Sequence, residues 1–259
     1  MAAHHQVRAE NLNVSAPVGV LPDGKETFAG PLYNNAGLLY YTDNSGNSAY
    51  NGMTLQVSER YGQFLHLNAN YTFSKTLDDG TFTTFVSTPQ DLYRRNLERA
   101  NSNQDVRNRF IANFVATGSD HGIIRDFELS SIVTLQSARP FTLFVGFDAN
   151  NDTNPVTDRV GASARNTYWG DALRTVDLRL SRSFRLKERG HALFSVDAFN
   201  LLNRANVDEV TSVYDAPDFV GGIPRHYKDG IGSPVNPLFG GPRTMLNPRQ
   251  LQFAVKLSF

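Results

Sequence analysis

From Leu251 to the last residue the chain alternates strictly: Leu251, Phe253, Val255, Leu257 and Phe259 are apolar, with Gln252, Ala254, Lys256 and Ser258 between them. A period of two places the apolar set on one face of a strand. Chain ends are ordinarily frayed and polar, so an end that stays apolar to its final residue requires a dry surface for that face. The same alternation recurs upstream. Met53, Leu55 and Val57 form one run; Leu65, Leu67, Ala69, Tyr71 and Phe73 form the next, across a tight "RYGQ" turn. Phe110, Ala112, Phe114 and Ala116 are followed through "GSDHGIIRD" by Leu129, Ser131, Val133 and Leu135. Val176, Leu178 and Leu180 are followed through "LKERG" by Ala192, Phe194, Val196 and Ala198. These are three hairpins with short turns. The run "GLLYYTD" at 37–43 reads as an earlier strand, joined to the next through "NSGNSAYN". With the terminal strand this makes eight.

Between the hairpins the connections are long and polar, over 76–105, 139–170 and 204–247. Loops longer than about 15 residues are uncommon inside a compact domain, and here they fall at one end of the strands while short turns fall at the other. One-sided loops, apolar-out and polar-in dyads and aromatic residues near strand ends (Tyr71, Phe73, Phe127, Phe184, Phe199) are the pattern of an outer-membrane barrel. The predicted fold is all-β: an antiparallel transmembrane β-barrel segment of about eight strands with long outer loops, over 37–259, after an N-terminal stretch 1–36 that is irregular or the remnant of an upstream strand or loop. A soluble β-sandwich also alternates, but it explains neither the loop asymmetry nor the apolar terminus.

Composition sharpens this picture. There is no run of roughly 18 apolar residues to form a spanning helix, so a membrane role demands strands. Acidic and basic residues balance at 25 each, which leaves no basic footprint for nucleic acid. No cysteine is present, which excludes disulfides, thiolate metal sites and thiol nucleophiles. The start "MAAHHQVRAENLNVSAPVGV" lacks the charged and apolar regions of a secretory signal, so a chain of this kind is expected to be a fragment or to have its true start upstream.

The inner face carries Gln56, Ser58, His66, Asn68, Asn70, Thr72, Asn113, Asp177, Arg179 and Asp197. A narrow eight-stranded barrel must fill its interior with side chains, whereas a wide one leaves a wet lumen. Loops of this length favour a piece of a wider barrel. A closed small barrel would need Asp177, Arg179, Arg60 and Asp197 paired across its lumen.

The segment "NSGNSAYNGMTLQVSERYGQFLHLNANYTFSKTLDDG" resembles the late strands of TonB-dependent outer-membrane receptors of the Oar-like branch, which carry a carboxypeptidase-regulatory-like amino-terminal domain. The resemblance rests on Ala49-Tyr50-Asn51, Arg60, Tyr71-Thr72-Phe73-Ser74-Lys75 and Asp78-Asp79, and continues in order through "QDVRNRFIANFV", "LQSARPFTLF", "RTVDLRLSRSF", "VDAFNLLNRANV" and "FGGPRTMLNPRQLQFAVKLSF". It implies a bacterial outer-membrane location, a parent barrel of about 22 strands and an amino-terminal plug moved by TonB. It further implies binding and energy-coupled uptake or surface export of a ligand through the outer loops. TonB would be reached only through amino-terminal parts absent from this sequence. Phe253, Val255, Leu257 and Phe259 fit the insertion signal of a terminal barrel strand, whose open edge an assembly machine captures by β-augmentation. The partners implied are outer-membrane lipid and that machinery.

Other candidate chemistry is sparse. In "DANNDTNPVTD" the residues Asp148, Asn150, Asp152 and Asp158 place oxygen ligands suited to calcium in one loop. No glycine follows Asp152 and Arg159 stands where an EF-hand has its glutamate, so the set is either a different calcium site or a metal-free Asn/Asp turn cluster. No other cofactor is expected. The six histidines show no metal spacing, and no GxSxG, phosphate loop or SxxK occurs, so no enzyme is expected. The arginines of 94–109 read as a solvated loop with internal ion pairs, or as a short helix at an anion site. Two alternatives stand beside the receptor reading: a self-contained eight-stranded adhesin or structural barrel, and a barrel hydrolase using His66.

Overall fold

The computed structural model describes residues 1–22, 24–80, 89–119, 121–154, 156–161, 163–186, 190–214, 219–220, 223–224 and 236–259. Parts of the 76–105 and 204–247 loops and the centre of the "LKERG" turn lie outside the described residues.

Eight strands form one continuous antiparallel meander: β1 (Ala2–Asn11), β2 (Tyr40–Tyr61), β3 (Leu65–Asp78), β4 (Asn108–Thr117), β5 (Phe127–Gln136), β6 (Leu173–Leu186), β7 (Gly190–Phe199) and β8 (Gln250–Ser258). Each pairs with its sequence neighbours, and a short strand, Ala100–Asn101, adds to β3. Among the described residues β8 pairs only with β7 and β1 only with β2, so the sheet is open. The alternation seen in the sequence sets the register. Met53 lies opposite Phe73, Leu55 opposite Tyr71, and Tyr71 opposite Phe110; Leu180 lies opposite Val196, and Val196 opposite Phe253. A slip of one residue would turn each of these sets to the other face. Large apolar side chains on this face are solvent-exposed, with Phe253 at 74% and Phe259 at 95%. That is the lipid-facing surface of a barrel wall.

The strands of the first hairpin are joined where Gly62 takes φ 57°, a left-handed turn that a side chain would strain, and Arg60 Nε donates to its carbonyl. At the short-turn end of β6, Arg182 lies over two rings, its guanidinium carbon 4.6 Å from the Phe127 centroid and 5.0 Å from that of Phe184. Both rings are among the expected girdle aromatics, and a cation over aromatic faces suits the membrane–water boundary.

Two expectations are corrected. The first strand is not 37–43, and "NSGNSAYN" is not a turn: residues 40–61 run as a single strand of 22 residues. Polar residues 43–51 stay extended because their backbone is paired, with β1 against 40–49 and β3 against 48–61. These residues bond other segments of the chain, Asp43 to Arg95 and Asn47 to Asp79, so no apolar face is needed and alternation does not persist. Gly46 marks a register shift in β1, with its Cα so close to Gln6 O and Arg8 Cγ that a Cβ would lie 2.9 Å from each. The stretch 1–36 contributes β1 and the small hairpin Pro17–Val20/Glu26–Phe28.

The long-loop end is a folded cap. Leu143, Val145, Val160 and Tyr214 form a buried cluster, with Phe147, Ala149, Tyr168 and Phe239 packed against it. The paired strands Pro140–Phe141/Tyr168–Trp169 and Val207–Val210/Pro242–Met245 frame that cluster.

Candidate functional site

The cap gathers the segments that follow β1, β3, β5 and β7. Its centre is the 148–158 loop. Asp148 Oδ1 accepts from Asp152 N at 3.1 Å and its Oδ2 from Thr153 N at 2.9 Å. Asp152 Oδ1 accepts from Asn154 N at 2.7 Å, and Asp158 Oδ2 from Ala149 N at 2.7 Å. Short polar side chains followed by their own backbone amides form successive Asx turns, and this local chemistry folds the loop back on itself. It brings oxygens of Asp148, Asp152 and Asp158 within 4.8 Å of one another. Asn150, grouped with them on sequence, uses Oδ1 to accept from Asp152 N at 3.0 Å and Nδ2 to reach Gln90 O at 2.9 Å.

Taking Asp152 and Asp158 out of water makes their charged forms costly. Burial pushes Asp152 up to about 7; the Asn154 amide pulls it down, while the charges of Asp158 and Asp148 add to the rise. Burial likewise pushes Asp158 up to about 6, against the Ala149 amide and the Lys25 charge.

Other segments dock on this loop. Asn11 Nδ2 donates to Asp152 O and Thr153 Oγ1 at 3.2 Å each, and Phe28 N donates to Asn150 O at 2.8 Å. Beside it runs a buried ionic chain that no sequence motif announced. Arg159 Nη1 donates to both oxygens of Glu98, and Arg165 reaches the Glu98 carbonyl at 3.0 Å and the Asp78 carboxylate. Glu98 ends a single 3-10 turn, Arg95–Glu98. The 94–109 arginines are therefore not only a solvated cluster. Arg95 pairs with Glu10 at 2.6 Å and Asp43 at 2.9 Å, and Arg99 with Asp79 at 2.9 Å, linking the loop to β1, β2 and the end of β3.

Between the framing strands lies a cleft of about 410 Å³ whose wall includes Gln136, Arg139, Asn166, Asp171, Glu209 and Arg243. A mixed wall of both charges and amides suits a polar ligand.

On the wall itself, Phe253, Val255 and Leu257 stand exposed along β8, with Phe259 just beyond it. The inner-face charges are satisfied by neighbours. Arg179 lies opposite Asp197 with 3.6 Å between charged atoms, Asp177 Oδ1 accepts from Asn200 N at 2.8 Å, and Arg60 bonds its own turn. His66 is exposed on β3, opposite Arg60 and Val115.

No curated protein matches the chain. Among solved structures, P. aeruginosa FpvA bound to heterologous pyoverdines is similar, with 12% sequence identity and a TM-score of 0.48 over 99% of this chain and 24% of that one. The chain thus spans about a quarter of the length of that structure. The model of the outer membrane beta barrel domain matches residues 1–160 and 147–252. With an antiparallel meander, a bare apolar face and a polar opposite face, the chain belongs to the outer membrane beta barrel domain family, and its place is the bacterial outer membrane.

Proposed function

We propose that the chain is the carboxyl-terminal part of the barrel of a TonB-dependent receptor of the Oar-like branch. In this reading its folded cap contacts a ligand during energy-coupled uptake or surface export. The observation that carries it is the open meander: among the described residues eight strands run in order without β8 pairing with β1. A narrow eight-stranded barrel would close and pack its interior. Here Arg179 finds its partner on the adjacent strand, Asp177 at the residue just after β7 and Arg60 in its own turn, which leaves no demand for pairing across a lumen. That is how the wall of a wide, wet barrel is built. The ligand would meet the cleft lined by Arg139 and Arg243, and no catalysis is assigned to His66. Coupling to TonB would run through the plug of the parent protein, and β8 would present Phe259 and its apolar row to the barrel-assembly machinery.

The test is refolding of the 259-residue chain into detergent micelles, read by heat-modifiable gel migration and particle stoichiometry. Failure to form a compact monomer unless upstream strands are supplied is the expected result. A heat-modifiable monomer would favour the self-contained surface barrel instead.

A further inference from the structure

We propose that Asp148, Asp152 and Asp158 hold a calcium ion that fastens the cap together. Each carboxylate presents an oxygen within 4.8 Å of the other two. Two oxygens around a shared ion at roughly 2.4 Å, the distance calcium adopts, can be no farther apart than twice that length. An acidic cluster alone would not define a site. What points to a ligand is Asp158: its side chain is 0% exposed, and Oδ1, unlike Oδ2, has no hydrogen-bond donor among the described residues. A buried carboxylate oxygen left without a partner is costly. Lys25 acts on Asp158 through space, but its Nζ donates to the Arg159 carbonyl at 2.5 Å.

The rest of the donor set agrees. The amides of Ala149, Thr153 and Asn154 each serve one carboxylate oxygen, that of Asp152 is shared between Asp148 Oδ1 and Asn150 Oδ1, and a carboxylate oxygen with one donor keeps a further lone pair. Asn150 Oδ1, a neutral oxygen in the same loop, accepts from the Asp152 amide at 3.0 Å. All are hard oxygen donors from one irregular loop, with neither nitrogen nor sulfur among them. Calcium accepts many oxygens in flexible geometry, whereas magnesium demands near-ideal octahedra and keeps its waters. The ion's place gives it a task. The same loop receives Asn11 from β1, Phe28 from the small hairpin and, through Asn150, Gln90 from the loop after β3. Neutralising three carboxylates at that junction would hold three distant segments of the chain in one arrangement. The proposal is independent of the receptor reading, since a cap on a self-contained barrel could be pinned in the same way.

The experiment uses the full gene product purified from outer membranes in detergent, stripped with EGTA and titrated with calcium chloride. Terbium luminescence reports occupancy, and tryptic cleavage after Arg94 and Arg95 reports cap order. One saturable site is expected, with Kd on the order of 10⁻⁴–10⁻³ M as in extracellular modules, together with calcium-dependent protection of the cap. Asp158→Asn should weaken the site by roughly tenfold or more by removing a charged ligand. If that variant fails to fold, Asp148→Asn, at a partly exposed position, should show the same loss. Absence of any calcium-dependent signal, equal protection by magnesium, or a folded variant that binds like the parent would overturn the proposal.

Discussion

Arg159 Nη1 lies 2.8 Å and 2.9 Å from the two carboxylate oxygens of Glu98, and both side chains are buried although 61 residues separate them in sequence. Breaking a buried pair by removing one partner strands the other charge and costs about 3–5 kcal/mol. Arg159→Met should therefore open the cap around the 95–98 turn and leave the strands intact. Hydrogen exchange should rise at residues 95–101 with no change in β4 to β7, and loss of protection throughout the sheet would contradict this division of labour.

Gly46 tests the paired upper half of β2. A valine there would drive its side chain into Gln6 O and Arg8, each already 2.9 Å from the position of a Cβ. Overpacking of this kind costs about 1–3 kcal/mol. Gly46→Val should release β1 while the β2–β3 hairpin persists, which protease cleavage within residues 2–11 would detect.

The two faces of β8 should respond oppositely to charge. Phe253 is on the bare apolar face and Gln252 on the other, opposite Asp197. Arginine on a lipid face costs about 2–4 kcal/mol at the bilayer midplane. Phe253→Arg should deplete the protein from the outer-membrane fraction of cells making the parent gene product, and Gln252→Arg should not. Equal depletion would remove the assignment of the apolar face to lipid.

Acid should loosen the join between β2 and the loop after β3. Burial raises the Asp79 carboxyl, but hydrogen bonds from Arg99 and Asn47, with the Arg99 charge, outweigh it and hold the group below the usual aspartate range. A carboxyl depressed in the fold stabilises above its unfolded value near 3.8, and that stability fades as pH falls through the lower folded value. Tryptic cleavage after Arg99, assayed after brief acid exposure, should increase only below that range. Asp79→Asn should cleave readily at neutral pH and lose the dependence.

Legibility in the sequence followed the solvent. Strands β3 to β8 announce themselves because lipid on one side and water on the other enforce a period of two, as at Leu65 to Phe73 and Leu251 to Phe259. Where the strand meets other protein segments and water in place of lipid, the signal vanishes. Residues 43–51 of β2 read as a turn because Asn, Ser and Gly dominate there, and only tertiary pairing with β1 makes them extended. The acidic trio could be found because its members lie within a single loop and local Asx turns bring them together. Glu98 and Arg159 could not, since ordinary loop charges become a buried pair only when two loops meet.

At about 3.3 Å per residue, the 22 residues of β2 extend some 70 Å, more than twice the roughly 30 Å of a bilayer's hydrocarbon. Its lower half is wall and its upper half is mast. The rigging is attached high: Asp43 to Arg95, Asn47 to Asp79. A pull on the cap is therefore transmitted along an unbroken backbone into the membrane. Beside that line, at Gly46, lies a register slip where β1 and β2 fall out of step.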